Sequence, residues 1–411
     1  MNFREIQKCR ICDNKDLIPI INLGDQMLTG VFPRSKQQRA VTIGPLTLVK
    51  CFGEHSCGLV QLKHSYNLLE MYGDNYGYRS GLNQSMVNHL TSKVKRILNS
   101  TNLKSGDLII DIGSNDGTTL NAYPKGDFLL TGVDPTAEKF RNFYPKNAKI
   151  LPEFYSATLI EKNFPGKKAK IITSFSMFYD LEDPLKFMQE IFNVLSDDAV
   201  WVFEQSYLPE MLRTNSFDTI CHEHLEYYAL KQIHYMTKKI GFHITDVEFN
   251  DINGGSFSVS VRKSKKNDKT ISLVDNILSQ EQRLGLDTMI PFAEFVSRVE
   301  NLKKEFLKLL AKIKDEGKTI LALGASTKGN VLLQYYGINS KNIEFIGEVN
   351  EDKFNCYTPG SWIQIIEENK LLDMNPDFIV ILPWHFKDFF VKNKKIGNKK
   401  LVFPLPDLNI V

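Results

Sequence analysis

No apolar run in this 411-residue chain approaches the ~20 residues that cross a bilayer, so no membrane partner is expected. The opening Met-Asn-Phe-Arg-Glu-Ile-Gln-Lys-Cys lacks the apolar core of a secretory signal, which makes the cytoplasm the expected compartment. Charge of one sign is also missing. Lys plus Arg number 51 against 48 Asp plus Glu, a net +3 without a basic stripe, and this argues against a nucleic-acid partner. Six cysteines are too few for a disulfide scaffold. Gly-x-Gly-x-x-Gly, the Walker loop Gly-x-x-x-x-Gly-Lys-Ser/Thr and His-Glu-x-x-His are all absent, which removes the simplest dinucleotide, P-loop and zinc-hydrolase readings.

What remains is an ordinary globular composition, 42% hydrophobic and 24% charged, long enough for two or three domains. Four of the six cysteines fall in residues 1–66: Cys9 and Cys12 as Cys-x-x-Cys, then Cys51 and Cys57. Two such pairs suit a tetrahedral thiolate site for zinc. The segment is rich in Pro and Gly and needs such a staple to hold a core. His55, between the second pair, is an alternative ligand.

The central signal is Gly106-Asp-Leu-Ile-Ile-Asp-Ile-Gly-Ser-Asn-Asp-Gly-Thr-Thr-Leu120. An apolar strand ends in Asp111, and a glycine turn from Gly113 to Gly117 opens a helix. Such a turn presents backbone N–H groups to a polar ligand. The spacing Asp-x-Gly-x-x-x-Gly points to an adenosine ligand without a pyrophosphate. Asp134, 23 residues after Asp111, ends the next strand, where a carboxylate can accept from both ribose hydroxyls. Strands are predicted at 108–112, 129–133, 170–174, 199–203 and 256–261, forming a doubly wound parallel sheet. An amphipathic helix precedes it, with Met86, Val87, Leu90, Val94, Ile97 and Leu98 on one stripe. Beside it Tyr66, Tyr72, Tyr76 and Tyr78 crowd together.

After a basic linker opening at Arg262, a long helix is predicted from Phe292 to Glu316, ended by Gly317. Residues 317–411 then repeat the theme as a second α/β unit of Rossmann type, with strands at 343–347 and 378–382. Its turn Gly324-Ala-Ser-Thr-Lys-Gly-Asn330 puts Ser326, Thr327, Lys328 and Asn330 at a helix N-terminus suited to a phosphate. Between the two units, Cys221-His-Glu-His-Leu-Glu-Tyr-Tyr228 packs His222, Glu223 and His224 beside Asp218 and Glu226. Neighbouring histidines point to different faces, so a general base tuned by a carboxylate fits this loop better than a metal.

Together these features resemble the nucleotide-sugar C-methyltransferases, in the same order and across essentially the whole chain. The resemblance implies an α/β fold of three parts: a zinc-binding domain at 1–66, a class I S-adenosylmethionine-dependent methyltransferase domain at 67–265 and a Rossmann-like domain at 266–411. It implies zinc on Cys9, Cys12, Cys51 and Cys57. It implies S-adenosylmethionine on Asp111, Gly113, Ser114, Asn115, Gly117, Asp134 and Ser174. His224 matches the base that removes a proton beside a sugar ketone, with Glu223 next to it and Tyr76 as a pocket tyrosine. His222, Cys221, Ser176, Asp180, Ser326, Lys328 and Asn330 fall on the acceptor side, toward a nucleotide-linked sugar bound by a monomer or homodimer. Two departures from the family pattern stand out. Cys221 replaces the tyrosine before His-Glu-His, and Ser176 and Asp180 replace an asparagine and a histidine. They leave a sugar O-methyltransferase, with Asp180 sharing the base role, and a non-catalytic nucleotide-sugar binding protein as rival readings.

Overall fold

Apolar runs bounded by glycines build two sheets here. The computed structural model describes residues 3–35, 41–72, 78–265, 270–397 and 399–411. Its central sheet has seven strands in the order 242–250, 256–263, 195–206, 169–175, 108–112, 129–133, 149–151. The last five run parallel. All residues of Leu108–Ile112 are buried, as an interior strand covered on both faces requires. The chain leaves this strand for one neighbour and later returns to the other side, which opens a crevice at its carboxyl end.

The strand expected at 256–261 is present as Ser256–Lys263, but it is antiparallel to Leu195–Ser206. Its partner on the other side, Phe242–Asn250, is antiparallel as well and was not anticipated. The cause is local. Asn253, Gly254 and Gly255 all have positive φ, so the chain folds straight back instead of crossing over by a helix.

The second α/β unit carries six strands in the order 364–367, 345–348, 320–323, 378–381, 400–403, 409–410, all parallel except the last. The helix Ile290–Asp315 lies where its periodicity predicts, with Phe292, Phe295, Val299, Leu302, Phe306 and Leu310 buried. A further helix, Ser272–Arg283, and the strands Gln364–Glu367 and Lys400–Phe403 were not anticipated.

The cysteine region forms an antiparallel sheet of Leu17–Met27, Ile43–Cys51 and Val60–Leu62. Its fourth strand comes from elsewhere. Glu226–Tyr227, directly after the histidine loop, pairs antiparallel with Val60 and Gln61. This sheet therefore reaches past residue 66 into the central third of the chain.

Beneath the central sheet, Trp201 is fully buried, stacked on Phe203 at 4.1 Å with Phe178 at 5.7 Å. Replacing Trp201 by Ala should cost about 3–5 kcal/mol, read as a lowered midpoint in denaturant unfolding. A loss under about 1 kcal/mol would contradict this packing.

Candidate active site between two glycine turns

The four cysteines form a cage. Sγ of Cys9 lies 3.5 Å from that of Cys57, and Sγ of Cys12 lies 3.5 Å from that of Cys51. All four sulfurs are within 4.8 Å of one another. A tetrahedron of ~2.3 Å Zn–S bonds has edges of about 3.8 Å, so the cage fits zinc. Asn14 Nδ2 donates to Cys51 Sγ at 3.3 Å and the Leu59 N–H donates to Cys57 Sγ at 3.4 Å, as thiolates require. His55 is not a ligand: its side chain is 91% exposed.

At the switch point of the central sheet, a cavity of about 240 Å³ opens above Asp111 and the glycine turn. Gly113 has φ +70, and a Cβ there would lie 3.0 Å from Met177 Cγ. Asp111, Gly113, Ser114, Asn115 and Asp134 line the cavity. Asp111 Oδ1 accepts from the Thr173 hydroxyl at 2.5 Å, while its buried Oδ2 has no partner. Burial pushes the Asp111 carboxyl up to about 7, with the hydroxyl of Thr173 opposing. Asp134 accepts from the Asn115 N–H at 2.9 Å, and from the N–H and hydroxyl of Thr136 at 2.7 and 2.6 Å. Oδ1 is filled by the two Thr136 bonds, and Oδ2, with one bond, keeps further accepting capacity. The Tyr155 hydroxyl, on the same cavity wall, is also buried without a partner. These unfilled polar groups, set among Leu68, Met86, Leu90 and Phe175, fit an adenosine with an aliphatic tail.

Asn115 and a residue not expected in the site, Asp116, fasten a strap across the turn. Asn115 Oδ1 accepts from the Ser80 N–H at 3.0 Å, and Asp116 Oδ2 accepts from the Gly81 N–H at 2.9 Å. Arg79 reaches Asp116 at 3.3 Å and lies over the Phe143 ring at 3.7 Å. Glu204 was missed as well. It lines the cavity, with His89 Nε2 at 2.6 Å and Lys93 Nζ at 3.0 Å. Against its burial, the bond to His89 and the charge of Lys93 hold the Glu204 carboxyl below its usual range. The signal was present in the helix stripe, because His89 and Lys93 recur at i, i+4 beside the apolar Met86, Leu90 and Val94.

The histidine loop lies behind the Asp180 wall: among the described residues that line the cavity, none of Cys221, His222, Glu223 and His224 appears. Leu225 N–H donates to Tyr179 O at 2.8 Å, which ties the loop to the turn that carries Asp180. The His224 ring packs against Tyr179 with centroids 4.3 Å apart and the planes tilted by 58°, and its Nδ1 meets Thr219 O at 3.0 Å. A carbonyl partner makes Nδ1 the donor and leaves Nε2 as the acceptor. Burial, then the nearby charge of Lys328, lowers His224 to about 3, so the imidazole is neutral. Glu223 is raised by burial, and its Oε1 would lie 2.4 Å from a Cβ placed on Gly30. Asp180 lines the cavity, accepts from the Tyr72 hydroxyl at 2.8 Å, and is raised well above its usual range by burial. From the second α/β unit, Lys328 Nζ donates to Asn253 O at 2.6 Å, and Trp384 Nε1 donates to Asp218 Oδ2 at 2.8 Å. Buried Cys221 also lies within the electrostatic reach of Lys328.

Several expected site residues are engaged elsewhere. Ser174 does not line the cavity; its hydroxyl accepts from Trp201 Nε1 at 2.9 Å in the core. His222 is fully buried with its ring edge-on to Tyr66 at 4.6 Å, packed toward the cysteine domain. Asn330 is buried and donates to Thr29 O at 2.7 Å, fastening the second α/β unit to the cysteine domain. Ser326 caps its helix by accepting from the Gly329 N–H at 3.0 Å. Gly117 backs the turn with its Cα against Tyr144 and does not line the cavity, whereas Ser176, at φ +54, does. Tyr76 lies outside the described residues.

Comparison with known proteins follows the same division. Residues 9–72 match the family model described as "Putative zinc binding domain", residues 84–247 "Methyltransferase domain", and residues 251–406 "C-methyltransferase C-terminal domain". The C-methyltransferase NovU of Streptomyces niveus is 25% identical over 413 residues, covering 99% of this chain and 97% of its own. Among solved structures, a chain of the Haloferax volcanii complex of the Trm112 methyltransferase activator is 13% identical at TM-score 0.37, covering 45% of this chain and 95% of its own. The magnesium protoporphyrin IX methyltransferase ChlM of Synechocystis PCC 6803, with bound S-adenosylmethionine, is 13% identical at TM-score 0.31, covering 44% and 79%.

A cationic ligand above Asp111 favours its ionised form. Asp111 holds a proton below about pH 7 in the free protein, so binding of S-adenosylmethionine should release one there. The affinity should rise as pH goes from 6 to 8. Calorimetry in two buffers of different ionisation enthalpy measures the release, and a pH-independent affinity with no proton released would contradict it.

Proposed function

We propose that this chain, an S-adenosylmethionine-dependent methyltransferase built as zinc, methyltransferase and C-methyltransferase modules in order, methylates carbon on a nucleotide-linked keto sugar with His224 as general base. The observation that carries the reading is the state of His224. Its tautomer is fixed by Thr219 O, its ring is neutral, and it packs against Tyr179, the chain neighbour of the cavity-lining Asp180. Among the described residues, no further hydrogen bond is made by this ring.

Bound S-adenosylmethionine supplies an electrophilic methyl group. The chain's own part is to hold the acceptor and move a proton. Nε2 of His224 takes the proton from the carbon beside the acceptor's carbonyl. A neutral imidazole can do so without first losing a proton of its own. Lys328 and the buried carboxyls of Asp180 and Asp218, both raised by burial, offer donors to the acceptor's oxygens. The N-terminus of the helix Thr327–Tyr336, with Lys328 in its first turn, suits the acceptor's phosphates. Every group invoked comes from one chain, so a monomer or a homodimer would serve.

His224→Ala should bind S-adenosylmethionine as the native protein does, while turnover of a nucleotide-linked 4-keto sugar falls by ~10²–10⁴-fold. The acceptor's carbon-bound proton should also cease to exchange with D₂O. Turnover within tenfold of the native protein would remove His224 from the base role.

A further inference from the structure

The cysteine knuckle carries a residue that neither the zinc cage nor the donor cavity explains. Arg10 lies between Cys9 and Cys12, and its side chain is only 3% exposed. We infer that Arg10 is a positioning residue that transmits the order of the zinc knuckle to the histidine loop.

Arg10 is anchored to the strand beside the loop. Nη1 donates to Leu62 O at 2.8 Å and Nη2 to Ser65 Oγ at 2.9 Å. The Arg10 backbone N–H donates to Gln61 Oε1 at 3.2 Å. Gln61 is the residue that faces Glu226 across the strand pair. The guanidinium then meets two carboxylates. Nε is 3.6 Å from Glu226 Oε1 and 3.9 Å from Glu182 Oε2.

These carboxylates belong to the two segments the reaction needs in register. Glu226 stands two residues after His224. Its side chain is fully buried and neither oxygen has a hydrogen bond. Arg10 is the one cation paired with it among the described residues. Glu182 stands two residues after Asp180 and lines the donor cavity. The backbone reinforces the link, since Leu62 N–H donates to Leu225 O and Leu225 N–H to Tyr179 O, both at 2.8 Å. A planar fork of five N–H donors can serve two strands and two carboxylates at once, which an ammonium cannot. The zinc cage fixes the Cys9–Cys12 turn, so metal, Arg10 and loop form one continuous support.

The inference rests on the proposed role of the loop, but its test reads the loop's order and not its chemistry. Hydrogen exchange by mass spectrometry on the full, zinc-loaded chain follows the amides of residues 222–228. In Arg10→Met these should exchange at least tenfold faster, while zinc stays at one per chain and affinity for S-adenosylmethionine changes less than twofold. The double variant Arg10→Met with Glu226→Gln should regain part of the protection, because no buried carboxylate is left unpaired. Arg10→Lys, a milder change, should give at least threefold faster exchange and decides the matter if Arg10→Met does not fold. Unchanged protection would overturn the inference, and so would protection and zinc lost together, since Arg10 would then serve only the knuckle. His224→Ala should leave the protection intact, so a failure of the base assignment is read separately.

Discussion

The pairing of Glu226–Tyr227 with Val60–Gln61 is the constraint on which the rest of the site depends. A two-residue strand has little stability of its own. It persists here because a four-stranded sheet holds it, and that sheet is closed by the cysteine cage. The histidine loop is thereby gripped at its exit by the cysteine domain and at its middle by Tyr179. Gly30 and Thr29 bring the same domain against Glu223 and Asn330. The small N-terminal domain is thus the common surface on which both α/β units are seated.

The two α/β units contribute turns of similar form with unlike contents. At Gly113–Gly117 the turn lines a cavity whose buried oxygens lack partners. At Gly324–Asn330 most groups already serve the protein: Ser326 caps the helix, Asn330 fastens the domains, and Lys328 donates to Asn253 O. Burial then sets the electrostatics between them. It makes His224 neutral and raises Asp180, Asp218 and Glu223, of which Asp180 lines the cavity.

Local chemistry was legible in the sequence. The cysteine spacing led to the cage, and Asp111 with Gly113 led to the donor cavity, because each is set by residues close along the chain or by a turn only glycine makes easily. Relations between distant segments were not. Nothing in the string says that Glu226 pairs with Gln61, that Ser174 turns into the core toward Trp201, or that His222 packs on Tyr66. The antiparallel strand Ser256–Lys263 could have been anticipated from Asn253-Gly-Gly255, a hairpin signal read past because apolar alternation looks the same in either direction. His89 and Lys93 were readable too, as polar residues repeated on the buried stripe of a helix.

The central claim is that the methyl group goes to carbon. Incubating the protein with a nucleotide-linked 4-keto sugar and S-adenosylmethionine carrying a ¹³C methyl group, and then recording one-bond carbon–carbon coupling by NMR, tests it most directly. The account predicts a labelled methyl group coupled to a ring carbon beside the carbonyl. A labelled methyl group without that coupling, attached through oxygen, would contradict it.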